Sequence, residues 1–395
     1  MESPKFTTYL RCLCMLLLCA ATLNPAFPLK NCTFPAIFNF GDSNSDTGGL
    51  SASLITPKPP YGETYFTNLL EGSRMAGSLS ISWILIATVI AEFSYVQMLL
   101  RSFSYQSKSL GLPYLSAYLD SLGTNFTHGA NFATAASTIR LPINIIPRGG
   151  FSPFYLNIQY SQFGQFKNRS QIIRQKGAVF ANLMPKGDYF SKALYTFDIG
   201  QNDHSEGFFN NMTIEEVNAS VPDIVNKFST NVKNIYNLGA RSFWIHNTEP
   251  IGCLPYILAN FQSAQRDSYG CAKPYNDVAI VQLRKDLPLA AITHVDVYSV
   301  KYSLFSKPKE YGFELPLIAC CGYGGIYNYG SGICGQTITI NGSQIFVGSC
   351  ERPSIRVNWD GVHYTEAANK FIFDQISTGL FSDPPTPLKM ARHNI

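Results

Sequence analysis

Phe34-Pro35-Ala36-Ile37-Phe38-Asn39-Phe40 leads directly into Gly41-Asp42-Ser43-Asn44-Ser45-Asp46-Thr47-Gly48, an apolar run that ends in a polar, glycine-flanked turn. This pattern predicts a short buried strand that delivers a loop to one edge of a sheet. Apolar runs at 193–199, 242–245 and 292–298 predict three more strands, with helix-compatible stretches such as 214–238 between them. Strands that alternate with helices predict an α/β fold with a parallel sheet covered on both faces. Ligands of such sheets bind at the carboxyl ends of the strands, so the polar residues after each run are the first candidates for chemistry.

Composition agrees with a folded chain. Of 395 residues, 46% are hydrophobic and only 14% charged, which excludes disorder over most of the length and predicts one large domain, or two at most. No fixed-period repeat is present. The net charge is +4, and the basic residues do not cluster with aromatics, so no nucleic-acid partner is expected.

The N-terminus has the form of a targeting segment. Lys5 and Arg11 precede the apolar run from Cys12 to Ala21, long enough for a signal peptide but short for a membrane span, and Asn24-Pro25-Ala26 breaks the helix where cleavage is expected. Residues 1–26 are therefore read as a signal peptide, which predicts a secreted protein of the extracellular space or cell wall. Its removal lowers the net charge from +4 to +3. Glycosylation sequons begin at Asn31, Asn125, Asn168, Asn211, Asn218 and Asn341. Of ten cysteines, seven survive processing: Cys32, Cys253, Cys271, Cys320, Cys321, Cys334 and Cys350. None belongs to a Cys-X-X-Cys pair or has suitably spaced histidines beside it, so disulfides are expected rather than zinc. The expected bridges are Cys253 with Cys271 and two among the last four, and the odd count leaves one thiol free or paired elsewhere.

Three predicted strand ends are polar. They supply Asp42 and Ser43, then Asp198-Ile199-Gly200-Gln201-Asn202-Asp203, then His246-Asn247-Thr248. Near the C-terminus, Asn358-Trp359-Asp360-Gly361-Val362-His363-Tyr364 places an acid and a histidine three residues apart. A serine hydroxyl needs an imidazole to take its proton and a carboxylate to orient that imidazole. Acyl transfer also needs donors for the developing oxyanion, which backbone N–H groups and an asparagine can supply. Taken singly, each feature has an ordinary structural explanation. A Gly-Asp-Ser tripeptide arises by chance in roughly one chain in ten of this length. Asp360 or Asp203 could cap a helix, His363 could be a satisfied structural histidine, and Asn202 could occupy a turn.

Their order carries more weight. Gly-Asp-Ser at the first strand end, Gly129-Ala130-Asn131-Phe132-Ala133 in mid-chain, Gly200-Gln201-Asn202-Asp203 after a later strand and Asp360-Gly361-Val362-His363 near the end resemble the plant GDSL esterase/lipase family of SGNH hydrolases. The resemblance spans about residues 34–66 and 110–380 and includes Pro59 to Phe66 and Trp244 to Pro255; it is closest to the early-nodulin and acetylesterase-like branch. It implies a flavodoxin-like three-layer α/β/α sandwich, secretion, and hydrolysis of acyl or acetyl esters of small molecules, lipids or acetylated polysaccharide, with no metal or organic cofactor. By the same resemblance Ser43 is the nucleophile and lends its N–H to the oxyanion hole. Gly129 adds a second N–H, Asn202 adds its side chain, His363 is the general base and acid, and Asp360 holds His363.

Two stretches depart from the family. Residues 67–109 do not match, and their apolar run from Leu79 to Leu100 is borderline for a transmembrane helix. The block is read as translated non-coding sequence or a mis-predicted gene model inside a single hydrolase domain at 34–380, with a membrane partner only if the run inserts. After Cys271, the family's long helix is expected to be truncated before Gln282 to Pro288. These departures keep a second reading open, a catalytically silent paralogue that binds carbohydrate or a protein partner. The sequence specifies neither acyl length, alcohol nor oligomeric state.

Overall fold

Six strands form the central sheet of the computed structural model, which describes residues 34–54, 101–121, 123–146, 150–275 and 290–392. Strand β1 (Ile37–Gly41) lies between β2 (Gly129–Asn131) and β3 (Leu194–Asp198), followed by β4 (Ser242–His246) and β5 (Ala291–Val295), all parallel. A two-residue strand, Ser382–Asp383, closes the β5 edge antiparallel. The order β2-β1-β3-β4-β5 is the flavodoxin-like one, and its direction of travel reverses between β1 and β3, where doubly wound sheets bind their ligands. Gly41 pairs with Asp198, so the carboxyl ends of β1 and β3 lie side by side at that point.

The predicted strands form close to their expected limits. The exception is the run at 292–298, which stops at Val295 because the Asp296 carboxylate accepts from Ser299 N–H at 3.0 Å and caps a helix instead.

Seven helices matter here: α1 (Gly49–Ser53), α2 (Arg101–Ser109), α3 (Leu156–Gln175), α4 (Gln201–Phe209), α5 (Ile214–Asn237), α6 (Val297–Ser306) and α7 (Glu366–Ile376). Strand alternation divides the core between them. Phe38 and Phe40 of β1, with Tyr195 and Phe197 of β3, pack against Phe163 and Phe166 of α3 and Phe228 of α5. The Phe38 ring stacks on Phe190 at 5.1 Å and meets Phe163 edge-on at 5.2 Å. Each such buried aromatic contributes about 1.5–3 kcal/mol through burial, and its ring pairs add geometric specificity. On the opposite face Ile37, Leu194, Trp244 and Val295 pack against Val300 and Leu304 of α6 and Ile372 and Phe373 of α7. Helix α5 starts at a capping box, in which Thr213 and Glu216 each satisfy the other's backbone N–H, and ends before Gly239 at φ 110°.

The last nine residues of the unmatched block belong to this packing. They form α2, whose Tyr105 ring lies 6.0 Å from Phe373 of α7, with Gln106 and Ser107 buried. The rest of the block, including Leu79 to Leu100, lies outside the described residues, as do the signal segment 1–26, Cys32 and the truncation expected at 276–289. No described helix is long and apolar enough to cross a membrane.

Three disulfides occur in the expected pattern: Cys253–Cys271, Cys320–Cys350 and Cys321–Cys334. The last two hold the segment 320–350, whose Cys320 and Cys321 N–H groups donate to the carbonyls of Asn358 and Trp359 at 3.0 and 2.6 Å. The cross-links thus brace the chain immediately before Asp360.

Candidate active site

The polar turn after β1 is shaped by its own carboxylates. Asp42 is buried; its Oδ1 accepts from Asn44 N–H at 3.0 Å, which leaves Ser43 between them, half-buried at the sheet edge. Asp46 accepts from Gly48 and Gly49 N–H at 2.8 and 2.6 Å through one oxygen, and from Leu50 and Ala135 N–H at 3.2 and 2.7 Å through the other. It therefore closes the turn and fastens it to the segment after β2. Burial raises the Asp46 pKa, against the opposing pull of these four donors.

A layer of side-chain hydrogen bonds crosses the sheet beneath the turn. Thr196 Oγ1 donates to Asn39 Oδ1 at 2.7 Å, Asn39 Nδ2 to Asn131 Oδ1 at 2.7 Å, and Asn131 Nδ2 to the Ser45 carbonyl at 2.6 Å. A second chain runs through Gln201, whose Nε2 donates to Asp42 Oδ2 at 3.1 Å and Asp198 Oδ1 at 3.0 Å. Asp198 Oδ2 accepts from His246 Nδ1 at 3.0 Å, and Trp244 Nε1 donates to His246 Nε2 at 3.1 Å, so His246 carries its proton on Nδ1. Burial and the nearby Asp198 charge push the Asp42 pKa well up; burial also works to raise Asp198, but the His246 hydrogen bond and charge, the Lys301 charge and the Gln201 hydrogen bond outweigh it and hold it low.

The C-terminal loop meets this turn. Asp360 accepts from Val362 and His363 N–H through Oδ1 at 3.0 and 2.8 Å, and its Oδ2 lies 2.7 Å from His363 Nδ1. His363 Nε2 lies 3.1 Å from Ser43 Oγ. Ser43, His363 and Asp360 are therefore aligned although Ser43 and His363 lie 320 positions apart in the chain. Burial would lower the His363 pKa, but the Asp360 charge and hydrogen bond outweigh it and raise it; the same contact keeps Asp360 low despite its burial.

Asn202 lies in the first turn of α4, and its Nδ2 donates to the Ser137 carbonyl at 2.8 Å and to no second group among the described residues. Gly129 is elsewhere. It pairs with Ile37 at the amino end of β1, opposite the end that carries Ser43, and its N–H already donates to Phe126 carbonyl at 3.0 Å. An oxyanion role for Gly129 is thereby corrected. Its lack of a side chain serves packing, since a Cβ there would stand 1.7 Å from the Ile37 carbonyl oxygen.

The chain needs the residues after β2 to climb to the active end. Phe132 N–H donates to Asn39 carbonyl and Thr134 N–H to Gly41 carbonyl, and the segment then turns at Ala136, a non-glycine residue at φ 61°. Ala136 is half-buried, and its N–H donates to no group among the described residues. Asp203, which the sequence offered as a helix cap, instead accepts from Ile139 and Arg140 N–H at 2.7 and 3.1 Å, holding the same segment against α4; burial raises its pKa to about 6. Asp198, Gln201 and His246 stood among the polar strand ends of the sequence but were given no role there, and Ala136 and Asp46 were not singled out. Of these last two, Asp46 had a local signal, as a second acid in the same glycine-flanked turn. No cluster of metal-binding side chains occurs among the described residues.

A family model described as GDSL-like Lipase/Acylhydrolase matches residues 37–376. The chain belongs to this family. An esterase of Hevea brasiliensis is 59% identical over 95% of this chain and 93% of its own length. The GDSL esterase/lipase ENOD8 of Medicago truncatula is 56% identical over 96% and 94%. A protein of Arabidopsis thaliana named alpha-L-fucosidase 3 is 48% identical over 91% and 94%. As a GDSL family member the chain is a carboxylic ester hydrolase with an α/β sandwich fold.

Proposed function

We propose that this esterase works through a covalent acyl-enzyme on Ser43. His363 Nε2 takes the Ser43 proton as Oγ attacks the ester carbonyl, and Asp360 stabilises the imidazolium that forms. The negative charge that develops on the carbonyl oxygen is held by the N–H groups of Ser43 and Ala136 and by the second amide hydrogen of Asn202. Collapse breaks the carbon–oxygen bond to the alcohol, which leaves with the proton from His363. Water then repeats the cycle, releasing the acid and restoring Ser43. The observation that carries this reading is the Asp360–His363–Ser43 alignment, at 2.7 and 3.1 Å.

The charged start and apolar run of residues 1–26 support secretion, and Asn125, Asn168, Asn211, Asn218 and Asn341 are all exposed, as glycosylation would require. The fucosidase name of one relative invites a glycosidase reading. Glycoside cleavage ordinarily needs two carboxylates free to flank the bond, whereas Asp360 is engaged by His363 and two backbone N–H groups, which favours the ester.

Labelling with a fluorophosphonate tests the mechanism. The wild-type chain is expected to label, and Ser43→Ala and His363→Ala are expected not to. Equal labelling of all three chains would overturn the assignment.

A further inference from the structure

Four large apolar side chains stand exposed on the segment that follows the Ala136 turn and at the end of α4. Leu141 is 66% exposed, Ile143 68%, Ile145 44% and Phe209 57%. The first three occupy alternate positions of an irregular segment that follows the Ala136 turn. That segment is tied down along its length by α4. Asp203 accepts from Ile139 and Arg140 N–H, Glu206 Oε1 accepts from Ile143 N–H at 2.5 Å, and Asn144 Nδ2 donates to Asn210 Oδ1 at 3.4 Å. The segment thus leaves Asn202, which donates to the Ser137 carbonyl at the first turn of α4, and follows the helix to its last turn, about 12 Å at 1.5 Å per residue. Phe209 stands at the far end, its ring stacked on Tyr256 at 5.9 Å and 6.5 Å from Phe151.

Large exposed apolar side chains gathered along one anchored segment mark a binding surface. Here the polar groups that could have covered it are turned inward. Asp203 and Glu206 are used on backbone N–H groups, and Arg140 is drawn to Asp203 and Asp223 at 3.5 and 3.9 Å.

We propose that Leu141, Ile143, Ile145 and Phe209 form an acyl-chain subsite, so that the enzyme favours esters of medium-length fatty acids over acetates. The proposal rests on Ser43 as nucleophile. The occupant follows from continuity: the segment that carries the strip begins at Asn202 and the Ala136 turn, which would hold the ester carbonyl, and an acyl chain leaving that carbonyl along α4 follows the same segment toward Leu141 and Ile143. An acetyl group is too short to do so.

The test is the kcat/KM of the full chain on monomeric p-nitrophenyl acetate, butyrate, hexanoate and octanoate. In wild type it is expected to rise with chain length, by up to about fourfold per methylene. The double substitution Ile143→Asn/Ile145→Asn changes only exposed side chains, so the fold is expected to survive. It is expected to cut the octanoate-to-acetate ratio at least tenfold, while Ile172→Asn, at an exposed site on α3, keeps the wild-type slope. A slope identical in wild type and the double variant overturns the proposal, and implies a lipid surface or a second copy as the occupant. A flat wild-type profile with acetate still hydrolysed overturns it as well. Absence of hydrolysis on every ester, with no fluorophosphonate labelling, instead refutes the Ser43 reading on which it stands.

Discussion

The turn that carries Ser43 and the loop that carries His363 arrive at one point from opposite ends of the chain, held by different means. The Ser43 turn grows out of a fully buried strand and is fixed by side chains that cross the sheet: Asn39 to Asn131 to the Ser45 carbonyl, and Asp46 to four backbone N–H groups. The His363 loop belongs to no strand of that sheet. It is fixed by backbone contacts to a disulfide-braced segment, by Trp359 N–H donating to the His363 carbonyl at 2.7 Å, and by Tyr256 N–H donating to the Gly361 carbonyl at 3.1 Å. In the proposed mechanism the nucleophile is thus positioned by the sheet itself, whereas its base rests against a segment held by disulfides, which persist under oxidising conditions.

Perturbations on the two sides are expected to behave differently. The largest effect is expected from Asp360→Asn, which should lower kcat by about ten thousandfold. It should also move the acid limb of the pH–rate profile. Only neutral His363 can take the Ser43 proton, and Asp360 raises the His363 pKa, so wild-type activity is expected to fall as pH drops through a midpoint above 6.5. Without the Asp360 charge, burial prevails and that midpoint should move downward. A midpoint that stays in place would show that Asp360 does not govern His363.

On the nucleophile side, Asn202→Ala is expected to lower kcat about a hundred- to a thousandfold, with KM on short esters little changed. A loss confined to KM would move Asn202 from the oxyanion to ground-state binding. A smaller, thermodynamic effect is expected from Cys321→Ser/Cys334→Ser, which should cost roughly 3 kcal/mol of stability by thermal unfolding. Activity in this variant should be lost at a lower temperature than the sheet's far-UV signal, because the His363 loop loosens first. Coincident loss would show that the loop and sheet unfold together. The smallest effect is expected from Ala136→Gly. Removing the left-handed strain at φ 61° should raise stability by about 1 kcal/mol. The Ala136 N–H is retained, so kcat should hold.

The sequence revealed more of the nucleophile side than of its supports. The strands were legible because each is a short apolar run ended by polar or glycine residues, and Asp360 and His363 because their three-residue spacing is local. Gly129 was misplaced for a physical reason: a motif gives the order of residues but not which end of a three-residue strand faces the site, and the register of Gly129 with Ile37 puts it at the wrong end. The donors and acceptors that fix the site, Asp198 with His246 and Asp203 with Ile139, join residues 48 and 64 positions apart and leave no local pattern. The 292–298 run was read too long because Asp296 competes as a helix cap with continuation of the strand. The acyl strip was illegible because exposed apolar residues look the same in sequence as buried ones.

The most direct test is to quench the chain in acid during turnover of p-nitrophenyl butyrate and locate the acyl group by peptide mass spectrometry. A butyryl adduct is expected on the peptide containing Ser43, absent in Ser43→Ala and depleted in His363→Ala. Turnover with no adduct, or with the adduct on another residue, would contradict the proposed mechanism.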